Sequence, residues 1–242
     1  MLGEVLDTDR EGVDRGHGFL RLQCALSTGE DMSPSSPPGG STSTVGDGPG
    51  EMGDALLTVD LGTGRTAVDI SLGATHACAV LDDASMKCWG QNVAGALGIG
   101  DVSDRGDQPG EMGDALPAVA LGTGRTALRA HAGDRQSCAQ LDDATAKCWG
   151  FNQFGQAGQG DTFNRGTAAN QLGDSLASIN LGTGRTAIAL GSGGILACSL
   201  LDNLSVKCWG NNYFGQLGKG DTLNRGDQPG EMGDALLPVL LE

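Results

Sequence analysis

Apolar and polar residues alternate over short distances along most of this chain. "THACAVL" (75–81) and "MKCWGQN" (86–92) carry the two-residue period of strands, and the turn cluster "DDAS" lies between them. Before them "TAVDISLG" (66–73) reads as a further strand, with β-branched Thr66, Val68 and Ile70 at alternate positions. After them comes a Gly-rich excursion (93–116) and then "PAVALG" (117–122), read as a short last strand. The same order recurs without insertion or deletion: Trp89, Trp149 and Trp209 fall sixty residues apart, and Met52, Met112 and Met232 head "MGDAL" copies in the same register, with "LGDSL" at 172–176 between them. Four short antiparallel strands per unit, each sheet able to bury its faces only against its neighbours, predict an all-β, β-propeller-like array of four-stranded blades. The units run over about 51–110, 111–170 and 171–230, with a partial fourth at 231–242.

Residues 1–50 break the pattern. "SPSSPPGGSTST" (33–44) has nothing to bury and reads as a flexible linker. Upstream, "QCALSTGED" (23–31) aligns with "ACAVLDDAS" as a degenerate hairpin, placing Cys24 where Cys78 sits.

Composition narrows the function. The 242 residues hold 42 glycines and 8 prolines, which fits many turns rather than low complexity. A formal net charge of -15 repels a phosphate backbone, so direct nucleic-acid binding is not expected. No apolar run approaches the eighteen or so residues of a membrane span, and "MLGEVLDTDREG" lacks the basic start and apolar stretch of a signal peptide, so the expectation from these features is cytoplasmic.

"LGTGRTA" (61–67, 121–127, 181–187) imitates a dinucleotide-binding loop, with Asp82 and Asp83 at the distance of a ribose ligand. Only about seven residues separate its glycines from Gly73, and they alternate as a strand, where a dinucleotide fold needs a helix. A turn joining consecutive blades is the better reading, and no cofactor is expected. "DTDREG" (7–12) lacks the twelfth ligand and the helices of a calcium loop, and "RGD" (105–107, 225–227) becomes "RGT" at 165–167.

Six of the seven cysteines form three equally spaced sets: Cys78 with Cys88, Cys138 with Cys148, Cys198 with Cys208. Residues 78 and 88 are equidistant from Asp83, so in an antiparallel hairpin they face one another, at a separation a disulfide can span. Two readings stay open: three cross-strand bridges, which imply an oxidising, extracellular setting and a chain start that lies further upstream, or buried reduced thiols in the cytosol. Zinc is not expected, because each unit offers two cysteines and His76 becomes Gln136 and Leu196 in the other units. His17 and His131 likewise have no counterparts and read as surface residues, so no catalytic residue is expected.

The stretches "HACAVLDDASMKCWGQNVAGALGIGD", "SCAQLDDATAKCWGFNQFGQAGQGD" and "ACSLLDNLSVKCWGNNYFGQLGKGD" resemble the regulator of chromosome condensation repeat family, in a Cys-paired variant. Trp89-Gly90, Trp149-Gly150 and Trp209-Gly210 carry the Trp-Gly of that motif, and the third unit matches furthest, through Asn212, Gly215, Gln216, Leu217, Gly218, Gly220 and Asp221. Unit one departs at Ala96 and unit two at Ala157. The motif residues have structural roles first: the Trp can cover the hairpin, and the glycines of "GQLG" permit positive φ in a tight loop. The resemblance implies blades that close into a seven-membered ring, so three units imply an incomplete ring or self-association to complete one. Rigid blades that expose loops, without a cluster of titratable groups, imply a non-catalytic protein-interaction module. The alternative implied by the family is guanine-nucleotide exchange on a small GTPase, since its founding member acts on Ran.

Overall fold

The computed structural model describes residues 48–240, so the hairpin remnant with Cys24, the linker, the calcium-loop imitation and His17 lie outside the described residues. Three antiparallel sheets follow one another along the chain. The first holds β1 (Ala67–Leu72), β2 (His76–Leu81) and β3 (Met86–Gly90). The second holds β4 (Ala127–Ala132), β5 (Gln136–Leu141) and β6 (Ala146–Gly150), and the third β7 (Ala187–Gly193), β8 (Leu196–Leu201) and β9 (Val206–Gly210). Among the described residues there is no α-helix, and short 3-10 turns such as Gly113–Ala115 punctuate the long loops.

Each sheet has three strands where the alternation predicts four. The "PAVALG" segment runs beside β3 but makes one backbone bond to it, Val119 N–H to the Met86 carbonyl at 2.7 Å, repeated by Ile179 on Ala146 and Val239 on Val206. Pro117 has no N–H to donate, and the far end of the same β3 edge is taken by Arg105, which exchanges two backbone bonds with Gly90. The edge is thus covered by two short contacts rather than a fourth ladder.

The hairpin turn sets the register. Leu81 N–H bonds the Ser85 carbonyl at 2.8 Å, and Asp83 accepts from both the backbone and hydroxyl of Ser85. Ala84 closes the turn at φ 62°, as do Ala144 at 62° and Leu204 at 64°, all in the left-handed region. Counting back from the Leu81–Ser85 pair, Cys78 and Cys88 fall on a non-hydrogen-bonded pair, where strands approach most closely. Disulfides join Cys78–Cys88, Cys138–Cys148 and Cys198–Cys208, with Cα atoms 4.1, 4.0 and 4.0 Å apart.

A bulge interrupts each first strand. Pairing jumps from Ala67 to Asp69, from Ala127 to Arg129 and from Ala187 to Ala189. The extra residues Val68, Leu128 and Ile188 therefore turn to solvent, while Ala130 and Leu190 point into the core.

The core lies between sheets. Cys78, Val80, Met86, Cys88 and Leu97 of the first unit pack against Val119, Leu121, Ala130 and Trp149 of the second. Cys138, Ala146, Cys148 and Ala157 meet Ile179, Leu190 and Trp209 in the same way. Backbone and side-chain bonds tie neighbours: Ala130 N–H donates to Asp69, Ala132 N–H to Ser71, and Ala74 N–H to the Gly133 carbonyl.

Candidate functional site

The "LGTGRT" loop holds an anion, and that anion is a side chain of this protein. Thr63 donates its N–H at 2.9 Å and its hydroxyl at 2.6 Å to the two oxygens of Asp114 in the next "MGDAL" turn. Thr123 grips Asp174 and Thr183 grips Asp234 in the same way. Gly62, at φ 120°, supplies the positive φ that the turn requires, and a Cβ there would lie 2.8 Å from the Asp114 carboxylate. The hydroxyl and N–H bonds hold the carboxyls of Asp114, Asp174 and Asp234 below the usual range. The glycines that imitate a phosphate loop thus cradle a carboxylate fifty-one residues downstream.

A lysine completes each clasp. Lys87, on β3, donates to the Leu61 carbonyl at 2.9 Å and the Gly113 carbonyl at 2.8 Å, and Lys147 and Lys207 do the same in their units. Burial pushes the Lys147 and Lys207 ammonium groups down from their ordinary values. The signal for these lysines in the sequence is a charged residue repeated between "M/A/V" and "CWG" in a strand that is otherwise apolar and buried. The groove of about 530 Å³ beside the middle clasp is lined by Ser85, Leu121, Thr123, Arg125 and Asp174. Its polar groups are already engaged, Thr123 with Asp174, Arg125 with Asp142 and Asp143, and Ser85 with Asp83.

The tryptophans link units. Trp149 Nε1–H donates to the Ala96 carbonyl at 3.0 Å, and Trp209 Nε1–H to the Gln156 carbonyl at 3.0 Å. Gly150 and Gly210 exchange bonds with Arg165 and Arg225, as Gly90 does with Arg105. Gly215 and Gly218 sit at φ 75° and 65° around Gln216, whose side chain bonds Asn211 and accepts from Phe214 N–H. In the two RGD triplets the arginines turn back onto Asp101 and Asp221, at 2.6 and 2.7 Å.

A serine and a histidine, sixty-one residues apart, meet at the first interface: His76 Nε2 lies 2.8 Å from Ser137 Oγ, and both are fully buried. The Ser137 hydroxyl donates to the Ala96 carbonyl at 2.7 Å, so the imidazole must be the donor and carries its proton on Nε2. With no lone pair aimed at the hydroxyl, this pair serves as a packing bond rather than as nucleophile and base. Nδ1 has no partner, and burial lowers the His76 pKa to about 4. Gly73 packs so closely on this ring that a Cβ would sit 2.8 Å from Cε1. Gln136 fills the equivalent place in unit two and donates to Ser192 and the Leu196 carbonyl. His131, expected at the surface, is half-buried in β4, and burial lowers its pKa too. Among the described residues no three His, Cys, Asp or Glu side chains are grouped to hold a metal ion.

The exposed apolar residues gather elsewhere. Val93, Val102, Phe163, Tyr213 and Leu223 stand out from equivalent loops, those linking the third strand of each sheet to its arginine bridge. Their identities change from unit to unit, whereas Asn92, Asn152 and Asn212 hold the same loops together by donating to Asp101, Asp161 and Asp221.

Residues 67–96 match the family model of the Regulator of chromosome condensation (RCC1) repeat. The chain is 30% identical over 162 residues to the Ultraviolet-B receptor UVR8 of Arabidopsis thaliana, covering 65% of this chain and 32% of the receptor. It is 26% identical over 157 residues to the human E3 ubiquitin-protein ligase HERC2, of which it spans 3%. Among solved structures, human WBSCR16 superposes with a TM-score of 0.54 at 17% identity, covering 69% of this chain and 40% of that one. Yeast RCC1 (Prp20), solved with Kap60, superposes with a TM-score of 0.51 at 20% identity, covering 72% and 37%. The sixty-residue unit of this chain is thus similar to the regulator of chromosome condensation repeat, matched over residues 67–96, and carries a disulfide across each hairpin.

Proposed function

We propose that the array is a non-catalytic protein-binding module whose partner seats on the rim formed by the loops 91–104, 151–164 and 211–224. The observation that carries this reading is the row of exposed Val93, Val102, Phe163, Tyr213 and Leu223 on loops whose frames are otherwise fixed by buried asparagines. Apolar side chains exposed on one edge of a rigid scaffold are a feature of interaction sites. The net charge of -15 favours a protein over a nucleic acid as partner. One fold neighbour, yeast RCC1, is itself seen bound to a protein, Kap60. Three disulfides suit an oxidising compartment, and we place the folded form there.

The test compares the wild-type chain with a variant carrying Phe163→Ser, Tyr213→Ser and Leu223→Ser as immobilised baits at several salt concentrations. The reading expects proteins retained by the wild type and lost by the variant, with unchanged thermal unfolding. Identical retention by both would overturn it. Guanine-nucleotide exchange is the second outcome to be measured: accelerated release of a fluorescent nucleotide from small GTPases would replace the binding-module reading.

A further inference from the structure

The two ends of the array are unlike the two internal interfaces, and the difference is residue by residue. β2 and β5 are buried along their whole length, whereas Leu196, Cys198 and Leu200 of β8 and Val206 of β9 are only half-buried. The loop beside them is open as well: Phe214 is 87% exposed and Gln216 is exposed, where Gln156 in unit two is fully buried. At the internal interface the cover comes from the loop that follows the arginine bridge of the next unit. Gly160 N–H donates to the Gly226 carbonyl at 3.0 Å, and Gly155 is pressed so close that a Cβ would lie 2.3 Å from Asp227 N. A Cβ on Gly215 would meet nothing nearer than the Asp221 carbonyl at 3.7 Å.

The covering loop of unit three, "RGDQPGEMGDAL" (225–236), is identical to residues 105–116 of unit one. That loop has an unused upstream side: Gly106 is half-exposed where Gly166 and Gly226 are buried. Trp149 and Trp209 each donate to a carbonyl of the preceding unit, while the Trp89 indole N–H has no partner among the described residues.

We infer that the open face of unit three docks unit one of a second copy of this chain, head to tail. The internal interface fixes the register: Trp89 Nε1–H donates to the Gln216 carbonyl of the other copy, and Gly220 N–H to the other copy's Gly106 carbonyl. Such a contact is heterologous, so it closes a ring or grows an open chain. It leaves Phe163 and Leu223 on the rim outside the interface.

Light scattering on the eluting full chain, under non-reducing conditions and across a range of loading concentrations, reads the assembly. The expected result is a mass rising in whole multiples of the 24.5 kDa chain. Phe214→Asp removes one edge and Pro109→Glu the other, and each is expected to hold the mass at one copy. Mixed, they are expected to give a species of two copies, because each retains the edge the other lacks. Phe163→Asp is expected to assemble like the wild type. Should either edge variant lose its thermal transition, Gln216→Lys and Gln108→Lys replace them at exposed neighbouring positions. A wild-type chain that stays at one copy throughout, including one whose edge is covered by its own residues 1–47, overturns the inference. So does assembly that survives both edge variants, or a mixture that remains at one copy.

Discussion

Replacing His76 by Gln isolates one buried proton site. The imidazole is fully buried, donates through Nε2 to Ser137, and leaves Nδ1 without a hydrogen-bond partner, so a second proton would place charge at a desolvated site. Burial dominates over the opposing pull of Asp134 and takes the pKa from 6.5 to about 4. Between those values the unfolded chain binds more protons than the folded one, so this contribution is intact above pH 6.5 and is lost as pH falls toward 4. Linkage with these two values gives a loss of about 2.5 kcal/mol between pH 7.5 and pH 4.5. Glutamine is the natural comparison, because Gln136 occupies this position in unit two, where its amide is an uncharged donor to Ser192 and the Leu196 carbonyl. Urea unfolding under non-reducing conditions, at both pH values, measures the difference. His76→Gln is expected to lie within about 1 kcal/mol of wild type at pH 7.5, the range of one hydrogen bond, and to lose about 2.5 kcal/mol less on acidification. His131 and the carboxylates contribute equally to both proteins. Parallel losses in wild type and variant would refute the placement of an uncharged, Nε2-protonated imidazole in the interface.

Lys147→Met keeps the stem of the side chain but strands the Leu121 and Gly173 carbonyls, which should cost about 2 to 4 kcal/mol at about 1 to 2 per abandoned acceptor. Thermal unfolding would read this as a clear fall in Tm, and an unchanged Tm would remove the clasp from the list of stabilising contacts. Leu204→Gly relieves a left-handed residue that is exposed and packs on little, and should stabilise the third hairpin by about 0.5 to 1 kcal/mol in the same assay. Reduction of the disulfides is expected to lower the urea midpoint, each bridge restricting its short unfolded loop by about 2 to 3 kcal/mol.

Where the sequence repeats, its period made the structure legible. The sixty-residue spacing and the two-residue alternation located nine strands, and the symmetry of Cys78 and Cys88 about Asp83 fixed the hairpin register found in all three sheets. The fourth strand failed because alternation says only that "PAVALG" can be extended, whereas pairing depends on which edge is free, and Arg105 takes part of that edge. The bulge at Val68 was hidden for a similar reason: Thr66, Val68 and Ile70 look like one face until an extra residue shifts Val68 out. The clasps were out of reach in a local reading, since Thr63 and Asp114 are fifty-one residues apart and only the fold brings them together. The rim was equally hidden, because Phe163 and Leu223 mark variable positions inside a loop that the repeat pattern defines by its constant ones.

Each unit is a single sheet pinned by its own cross-strand disulfide and stacked on the next. Peptide mapping of the chain without reduction, after alkylation of free thiols, tests it most directly. Three linked pairs are expected, Cys78–Cys88, Cys138–Cys148 and Cys198–Cys208, which leaves Cys24 as the alkylated seventh cysteine. Alkylation of all seven, or bridges that join cysteines of different units, would contradict it.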